Sequence, residues 1–413
     1  MRKLVYQELT PMTPGWLAVV GGLAVVILAA AASVVYMEHE GHWVTGMTNQ
    51  VVWGMPHVFA VFLIVAASGA LNVASIGSVF GREPYQPLGR LSGLLAIALL
   101  AGGLAVLVLD LGRPDRLAVA MTHFNFKSIF AWNVILYSGF FGIVALYLWT
   151  MMDWTKKAFY KPAAIAAFVW RLVLTTGTGS IFGFLIARDA YGSAVMAPMF
   201  IAMSFAFGLA VFNLVVMALY AGSGRPIGDD LVLRLRKLLG LFVAANLYFV
   251  AVQHLTALYW AGHAGVEAFI LRDGGIYTLL FWGGQVGLGG VVPLLLAFAA
   301  KPQCRNAFRM ASALVILGGL AQVYVIIIGG QAYPLQLFPG MEISSSFADG
   351  QVHSYVPSLP EIALGLGGVA LALLITLVGA SFLRFLPESL GEPSAPAEAE
   401  GHGTPVGVHQ PAE

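Results

Sequence analysis

Ten long apolar segments divide this chain of 413 residues and decide what it can fold into. A helix needs about 20 apolar residues to cross the hydrocarbon core of a bilayer, and each segment is long enough. Because lipid offers no hydrogen-bond partners, each segment must pair its own backbone groups, which favours helices. The pattern therefore predicts an all-α polytopic membrane protein with about ten transmembrane helices. The segments lie approximately at residues 16–36, 52–80, 88–109, 129–150, 162–188, 195–220, 238–260, 275–299, 308–328 and 360–383.

The distribution of Lys and Arg predicts how these helices are oriented. With the N-terminus inside, fifteen of these residues fall on the inner side and five fall in the outer loops. Short loops rich in Lys and Arg stay in the cytoplasm, so we expect both termini there. Three of the outer five lie in residues 108–133, a stretch that is therefore placed outside against the bias. The outer five are Arg113, Arg116, Lys127, Arg188 and Arg272.

We expect one large domain with two short ends. Residues 1–15 form a cytoplasmic N-terminus, and residues 385–413 form a disordered cytoplasmic tail because they are rich in Pro, Ala, Glu and Gly. The run at residues 16–36 ends like a signal peptide but exceeds the usual apolar core of about 7 to 15 residues, so we interpret it as a retained helix. The transmembrane domain covers residues 16–384, with four-helix bundles at about 52–188 and 195–328, one flanking helix at each end and an outer cap at 329–359.

Composition excludes several classes of function. Charged residues make up 10% of the chain and the net charge is +1, so no basic field indicates nucleic acid. The single cysteine, Cys304, excludes an internal disulfide and a self-contained iron–sulfur cluster, which needs about four thiolates. No C-x-x-C-H motif for covalent haem is present. We therefore expect no metal site here, and redox carriers must be bound non-covalently or belong to partners.

Two histidines near the outer ends of predicted helices are candidates for proton chemistry. His57 follows Trp53 at the start of the second segment, and His254 lies at similar depth in the seventh. An imidazole there can exchange a proton with the hydroxyl of a quinol whose headgroup lies near the interface. The alternatives are a hydrogen-bonded structural histidine or, for the two rings together, ligation of a b-type haem. Haem is not favoured, because the inner ends of the segments offer no matching histidine pair.

Arg171 is the one strongly charged residue well inside a predicted helix. Charge inside a membrane is costly and indicates function, although arginine at this depth can also extend its side chain to the surface. Together with His254, Gln285 and Gln322 it forms a candidate proton path. A midplane charge also fits a secondary transporter or ion-translocating module, which is the alternative function.

Four charges surround a glycine and a proline where the third segment ends. The glycine and proline permit a tight turn that ends the helix. The charges either pair with one another and pin the loop, or the arginines bind an acidic partner or orient a quinone carbonyl. They are Asp110, Arg113, Asp115 and Arg116.

Motifs over nearly all of the chain resemble those of a known family. LDLGRP at residues 109–114 and NFKSIFAWN at 125–133 resemble the NrfD/PsrC family of quinone-interacting membrane subunits. Further matches are HWVTGMTNQVVWGMPH at 42–57, GGQAYPLQLFPG at 329–340 and YVPSLPEI at 355–362. Together they look most like the DsrP-type (HmeB-like) subunit of the sulfite-reduction-associated membrane complex.

The resemblance implies a protein whose only cofactor is a bound quinone, menaquinone or ubiquinone, with no haem or iron–sulfur cluster of its own. The site would lie toward the outer face, with His57 as the catalytic, proton-handling group and Trp53 beside it. Motif positions carry over Asp110, Arg113 and Asn125, whose role is either quinone contact or partner docking. A loose match to a family tyrosine is Tyr191.

The resemblance also implies partners and a location. A ferredoxin-like iron–sulfur subunit would dock at the outer face, and a multihaem cytochrome c with further membrane and cytoplasmic redox subunits would complete the complex. The chain would be a multi-pass protein of a prokaryotic cytoplasmic membrane that serves dissimilatory sulfur metabolism. We therefore predict the quinol-oxidising or quinone-reducing subunit of an oxidoreductase complex, and the sequence is compatible with either direction.

Overall fold

Ten long apolar helices make up most of the described part of the protein, which confirms the predicted fold class. The computed structural model describes residues 5–301, 304–335 and 350–390, and within those ranges ten helices are long and apolar enough to cross a membrane. Short helices at Leu117–Thr122 and Ala264–Ala268 lie in the connections between them. The ten are α1 (Pro14–Glu40), α2 (Met55–Ser78), α3 (Glu83–Leu109), α4 (Ile129–Met152), α5 (Lys157–Phe184), α6 (Met196–Ser223), α7 (Asp229–Tyr259), α8 (Ile276–Phe298), α9 (Arg305–Ala332) and α10 (Leu359–Phe382).

Several helices begin before their apolar segments do. The clearest case is α7, predicted from residue 238 but starting at Asp229, with Asp229 and Asp230 in its first turn. Acidic side chains there stabilise the positive end of the helix dipole, and Arg234 pairs with Asp230 one turn later at 2.6 Å. The apolar pattern marks the part of a helix that crosses the hydrocarbon core, so it misses charged turns at the interface.

The helices pack as two neighbouring groups. The first consists of α2, α3, α4 and α5, and the second of α6, α7, α8 and α9. They meet mainly where α6 packs against α2 and α5. The first and last helices, α1 and α10, pack against each other, and α10 also contacts α2 and α3. The two flanking helices of the sequence thus lie together, beside the first bundle.

Helices α2 and α6 approach each other through two glycines. A Cβ atom on Gly69 would overlap the carbonyl group of Ser204, and one on Gly208 would overlap the backbone of Gly69. Small residues let helix backbones come this close in a membrane, where packing contacts hold helices together. The junction between the bundles therefore depends on these two positions.

Replacing Gly69 with Ala is expected to push α2 away from α6 and lower the free energy of unfolding by about 1–3 kcal/mol, the usual effect of overpacking. The measurement is the midpoint of thermal unfolding of the purified protein in detergent. A matched control is Gly142→Ala in α4, because a Cβ there would meet nothing within 4 Å. Equal midpoints for Gly69→Ala and Gly142→Ala would contradict the close contact.

The two ends of the described chain meet on one face. Strand β1 (Tyr6–Gln7) pairs antiparallel with β2 (Leu386–Pro387), and Phe385 and Leu386 are buried. The sequence predicts disorder from residue 385, whereas residues 385–390 are ordered because their apolar side chains find a covered site. The rest of the predicted tail, from residue 391, and residues 336–349 of the predicted outer cap lie outside the described residues.

The single cysteine makes the predicted orientation testable. We call the face where α2 begins the outer face, following that orientation. Cys304 is exposed at the opposite face, just before α9. A membrane-impermeant maleimide is expected to label Cys304 in inverted vesicles and at least about tenfold less in intact cells, since Lys-rich and Arg-rich loops stay inside. Faster labelling in intact cells than in inverted vesicles would contradict the predicted orientation.

Candidate functional site

The start of α2 and the end of α3 bring His57 and Asp110 together at the outer face. His57 lies in the first turn of α2, and Asp110 caps the C-terminal end of α3. Nδ1 of His57 is 2.8 Å from Oδ2 of Asp110. The Asp110 side chain is fully buried, while 16% of the His57 side chain remains exposed. A buried carboxylate thus faces one nitrogen of an imidazole whose other side is accessible.

Nδ1 of His57 and both carboxylate oxygens of Asp110 are buried and make no hydrogen bond among the described residues. The contact lacks the alignment of a hydrogen bond, so Asp110 has no donor to either oxygen among the described residues. Leaving a buried polar group without a partner costs about 1–3 kcal/mol, and more for a charged group. Such a site favours a bound molecule that brings its own hydroxyl proton.

An aromatic wall stands beside the pair. The ring of Trp53 lies 6.0 Å from that of His57, with the two planes 25° apart. Trp53 also contacts Phe130 of α4 at 6.1 Å and Phe182 of α5 at 5.9 Å. Flat apolar surfaces of this kind suit another aromatic ring.

Gln331 holds the backbone that carries Trp53. Its Oε1 accepts hydrogen bonds from the N–H groups of Val52 and Trp53, both at 3.0 Å. Its Nε2 donates to the carbonyl oxygens of Trp53 and Ile327 at 3.0 and 2.9 Å. Gln331 is absent from the predicted site residues. The signal was the GGQAY motif that contains it.

Arg188 and Tyr191, in the loop between α5 and α6, form hydrogen bonds to the backbone around Gln331 and Gln50. Arg188 donates to the carbonyl oxygens of Gln331 and Gln50 at 3.0 and 2.6 Å, and its burial lowers the pKa of the guanidinium. Tyr191 is buried, which raises the pKa of its phenol, and its hydroxyl donates to the carbonyl of Ile327 at 2.9 Å. Phe182 separates the Tyr191 ring from Trp53. Because its hydroxyl is engaged, Tyr191 supports the site from behind.

Glu361 ties α10 to the start of α2. Its carboxylate is fully buried and accepts hydrogen bonds from the N–H groups of Gly46 and Ser358 at 2.8 and 2.7 Å. It also accepts a hydrogen bond from the Tyr355 hydroxyl at 2.6 Å. The hydroxyl oxygen of Tyr355 in turn accepts a hydrogen bond from the N–H of Met55 at 2.6 Å. Burial and the neighbouring Glu361 raise the pKa of the Tyr355 phenol. The YVPSLPEI motif thus positions the helix turn that carries His57, a role that the sequence did not reveal.

Comparison with known proteins identifies the family. Residues 43–334 match the family described as polysulphide reductase, NrfD, which covers well over half of the chain. This chain belongs to the NrfD family. The predicted family and the integral membrane character are therefore confirmed, while the narrower likeness to DsrP-type subunits stays a prediction.

Three named proteins each resemble most of the chain. An Hdr-like menaquinol oxidoreductase integral membrane subunit of Archaeoglobus fulgidus is 28% identical over 373 residues, covering 88% of this chain and 93% of that one. A selenate reductase subunit of Mesobacillus selenatarsenatis is 22% identical, covering 86% and 90%. A polysulfide reductase chain of Wolinella succinogenes is 27% identical, covering 69% and 96%. The family match at residues 43–334 includes the helices on which His57 and Asp110 lie.

Two of the motif residues of this NrfD-family protein lie in the outer loop, which we define as residues 110–128 between α3 and α4, and their side chains point away from His57. Arg113 forms a two-fold contact with Asp115 at 3.0 Å, with side chains 66% and 61% exposed. That hydrogen-bonded pairing raises the pKa of Arg113 and lowers the pKa of Asp115. Asn125 accepts a hydrogen bond from the N–H of Lys127 at 3.0 Å, which shapes the turn before α4. Neither side chain contacts His57.

The candidate proton path divides between the two bundles. Arg171 is fully buried in the first bundle, donates to Asn72 at 2.8 Å and lies between the rings of Phe168 and Phe205, each 4.9 Å away. It therefore does not extend to the surface. The other three predicted residues line one cavity of the second bundle; they are His254, Gln285 and Gln322.

Proposed function

We propose that this NrfD-family protein is the quinone-reactive membrane subunit of a multi-subunit redox complex. It exchanges electrons between the membrane quinone pool and an iron–sulfur subunit docked at the outer face. The observation that carries the proposal is the pairing of the partly buried His57 with the fully buried Asp110, whose facing polar atoms make no hydrogen bond among the described residues. The names of the relatives, which include a menaquinol oxidoreductase and a polysulfide reductase, support the redox role.

The pair suits the proton chemistry of a quinol. Oxidation of a quinol releases two electrons and two protons, and reduction of a quinone takes up the same number. Since Nδ1 of His57 faces Asp110, Nε2 is the nitrogen that accepts a hydroxyl proton. The carboxylate holds the ring and stabilises the imidazolium, an attraction that burial strengthens. The two residues therefore act as one proton acceptor in oxidation and as one donor in reduction.

The aromatic wall gives the headgroup a place and a route. A quinone ring would stack on the flat side chains of Trp53 and Phe130, while Phe182, which is buried, packs against Trp53 from behind. Phe130 is 47% exposed on the outside of α4, where lipid surrounds the protein. Quinol would therefore enter sideways from the bilayer and reach His57 past Phe130.

The outer loop offers a surface for the electron-carrying partner. Aromatic rings at its end lie 4.8 to 6.2 Å apart, and they belong to Phe124, Phe126 and Trp132. Phe126 is 69% exposed, and the pair of Arg113 and Asp115 is exposed nearby in sequence. Exposed aromatics with arginine are typical of protein interfaces. We assign Arg113 and Asn125 to this docking surface, where Asn125 shapes the turn.

Replacing Phe126 with Ser is expected to weaken binding of the iron–sulfur subunit about tenfold or more, because truncated aromatic anchors typically lose that much affinity. The measurement is the amount of that subunit that co-purifies, or its dissociation constant by titration. Phe80→Ser is the matched control, since Phe80 is 58% exposed at the opposite face. If the two variants retain the partner equally, this loop is not the docking surface.

A photoreactive quinone analogue tests the proposed function in the assembled complex. Label is expected on peptides that contain residues 53–57 and 129–133, and excess natural quinol should prevent it. Label confined to the second bundle, or label that quinol does not displace, would contradict the proposal.

The motifs extend the proposal to the rest of the complex. They favour menaquinone or ubiquinone as the quinone, a multihaem cytochrome c and further membrane and cytoplasmic redox subunits as partners, and a role in sulfur metabolism. Purifying the complex from its own membranes through a tag on this protein and recording haem and iron–sulfur spectra tests this. A complex that lacks both signals would contradict the predicted partners.

A further inference from the structure

A second histidine–carboxylate pair lies in the second bundle, away from the proposed quinone site. Nδ1 of His254, near the outer end of α7, is 2.7 Å from Oε2 of Glu267 in the short helix before α8. Their side chains are 18% and 5% exposed. The pair shares no residue with His57 and Asp110, and the proposed quinol chemistry does not use it.

This second pair lines a small cavity whose walls are partly polar and partly apolar. The cavity has a volume of about 40 Å³, and amide side chains from three helices line it, namely Gln253, Gln285 and Gln322. A cavity of this size has room for water, because each water needs only about 10–15 Å³ of free volume and two to four polar partners. Five of the residues in its walls are polar, and they include His254 and Glu267. The cavity is therefore suited to hydration beside the pair.

Polar groups continue from the cavity toward the middle of the membrane. Nδ2 of Asn246 donates to Oε1 of Gln322 at 2.7 Å, and Gln322 donates back at 3.3 Å. Asn246 precedes His254 by two turns of α7, about 12 Å at 1.5 Å per residue. Burying an amide side chain in a membrane-spanning helix costs free energy unless the amide is hydrogen-bonded, and polar groups at this depth commonly belong to functional sites. These amides extend a hydrogen-bonded route from the outer face inward.

The same route closes below Gln322. A Cβ atom on Gly318 would overlap the backbone of Gly289, so α8 and α9 touch there. The ring of Phe207 packs against Gly319 in the same layer. Helix α8 is π-helical over Leu280–Val291, a stretch that includes Gly289, and α9 is π-helical over Val325–Gly329. Such wide turns are frequent at functional sites, and these two carry the cavity residues Gln285, Val325 and Ile326.

We propose that His254 and Glu267 form a second proton-binding site, at the head of a hydrated half-channel that runs from the outer face to Asn246 and Gln322. The titratable group that contacts His254 is Glu267. Its neighbour on α7, Gln253, is uncharged, and so is Phe281 of α8, whose ring lies 4.7 Å from that of His254. Of the charged and titratable residues close to Glu267 in sequence, Arg272 pairs with Asp273 and His263 stacks on Trp260.

Infrared difference spectra of the full-length protein in lipid nanodiscs, taken between acid and alkaline pH, test this site. Glu267→Gln and His254→Gln are each expected to abolish one pH-dependent signal, a carboxyl band and an imidazole band respectively. His263→Gln is the control and is expected to remove only the surface imidazole. Spectra of Glu267→Gln that match the wild type would overturn the proposal.

A measurement on the wild-type protein guards against a variant that fails to fold. A hydrophobic carbodiimide adds to protonated carboxyl groups in apolar surroundings and is detected by mass spectrometry. It is expected to modify Glu267 at acid pH and progressively less as the pH rises. A Glu267 that stays unmodified at every pH would overturn the proposal. His57→Gln should leave this modification unchanged, so failure here is distinct from failure of the quinone site.

Discussion

Replacing His57 with Gln is expected to slow quinol oxidation by the assembled complex by about 100- to 10,000-fold, the range that a positioned general base contributes. Gln keeps a polar side chain of similar reach but cannot take a proton. Asp110 would then face an amide instead of a ring that becomes cationic. The measurement is the steady-state rate with a soluble quinol analogue, together with the melting midpoint of the complex.

Two controls separate this effect from damage to the fold. His263→Gln removes another outer histidine, which stacks on Trp260 at 4.1 Å, and its rate is expected to stay within about twofold of wild type because surface substitutions rarely change stability. The melting midpoint of His57→Gln should match that of the wild type. A His57→Gln complex that oxidises quinol at the wild-type rate would remove His57 from the site.

Replacing Asp110 with Asn is expected to lower the same rate by about 100-fold, since losing one group that stabilises developing charge typically costs that much. The substitution keeps the size of the side chain and removes only its charge. The imidazolium formed at His57 then loses the carboxylate that lies 2.8 Å from Nδ1. The rate at low quinol concentration and the maximal rate at saturating quinol should fall by the same factor.

Asp273→Asn is the control for Asp110. Asp273 is 55% exposed, pairs with Arg272 and lies outside the proposed docking loop. Exposed ion pairs contribute only about 0–1 kcal/mol, so its rate should stay close to wild type. Equal losses in Asp110→Asn and Asp273→Asn would show that the rate does not depend on the buried carboxylate in particular.

Much of the fold was predictable because each transmembrane helix is marked by a continuous apolar run in its own sequence. An apolar run of sufficient length is needed wherever a helix crosses lipid, so all ten helices were found. The same rule missed the charged first turns of α7 and the strand pairing of residues 6–7 with 386–387. Those features depend on the interface and on contacts between distant parts of the chain.

For the candidate site, the sequence indicated residue positions better than it indicated contacts. His57, Trp53 and Asp110 were singled out from motifs, and the structure places them together. Arg113 and Asn125 belong to the same motifs, yet their side chains turn into the loop, because a motif gives a place in the sequence and no direction for a side chain.

The supporting residues were harder to find. Gln331 and Glu361 bind backbone groups roughly 300 positions earlier in the sequence. Nothing near them in sequence indicates those partners. In the same way, Glu267 was not singled out, although its neighbour His254 was, since an acidic residue in a loop is ordinary until the fold buries it.

A double variant tests the central claim most directly, namely that His57 and Asp110 act as one proton-handling unit. The quinol oxidation rates of His57→Gln, Asp110→Asn and the combined variant form a cycle that measures their interaction. We expect the combined variant to be about as slow as His57→Gln alone, because the carboxylate has no imidazolium left to stabilise. Losses that multiply in the combined variant would show that the two residues act separately and would contradict this account.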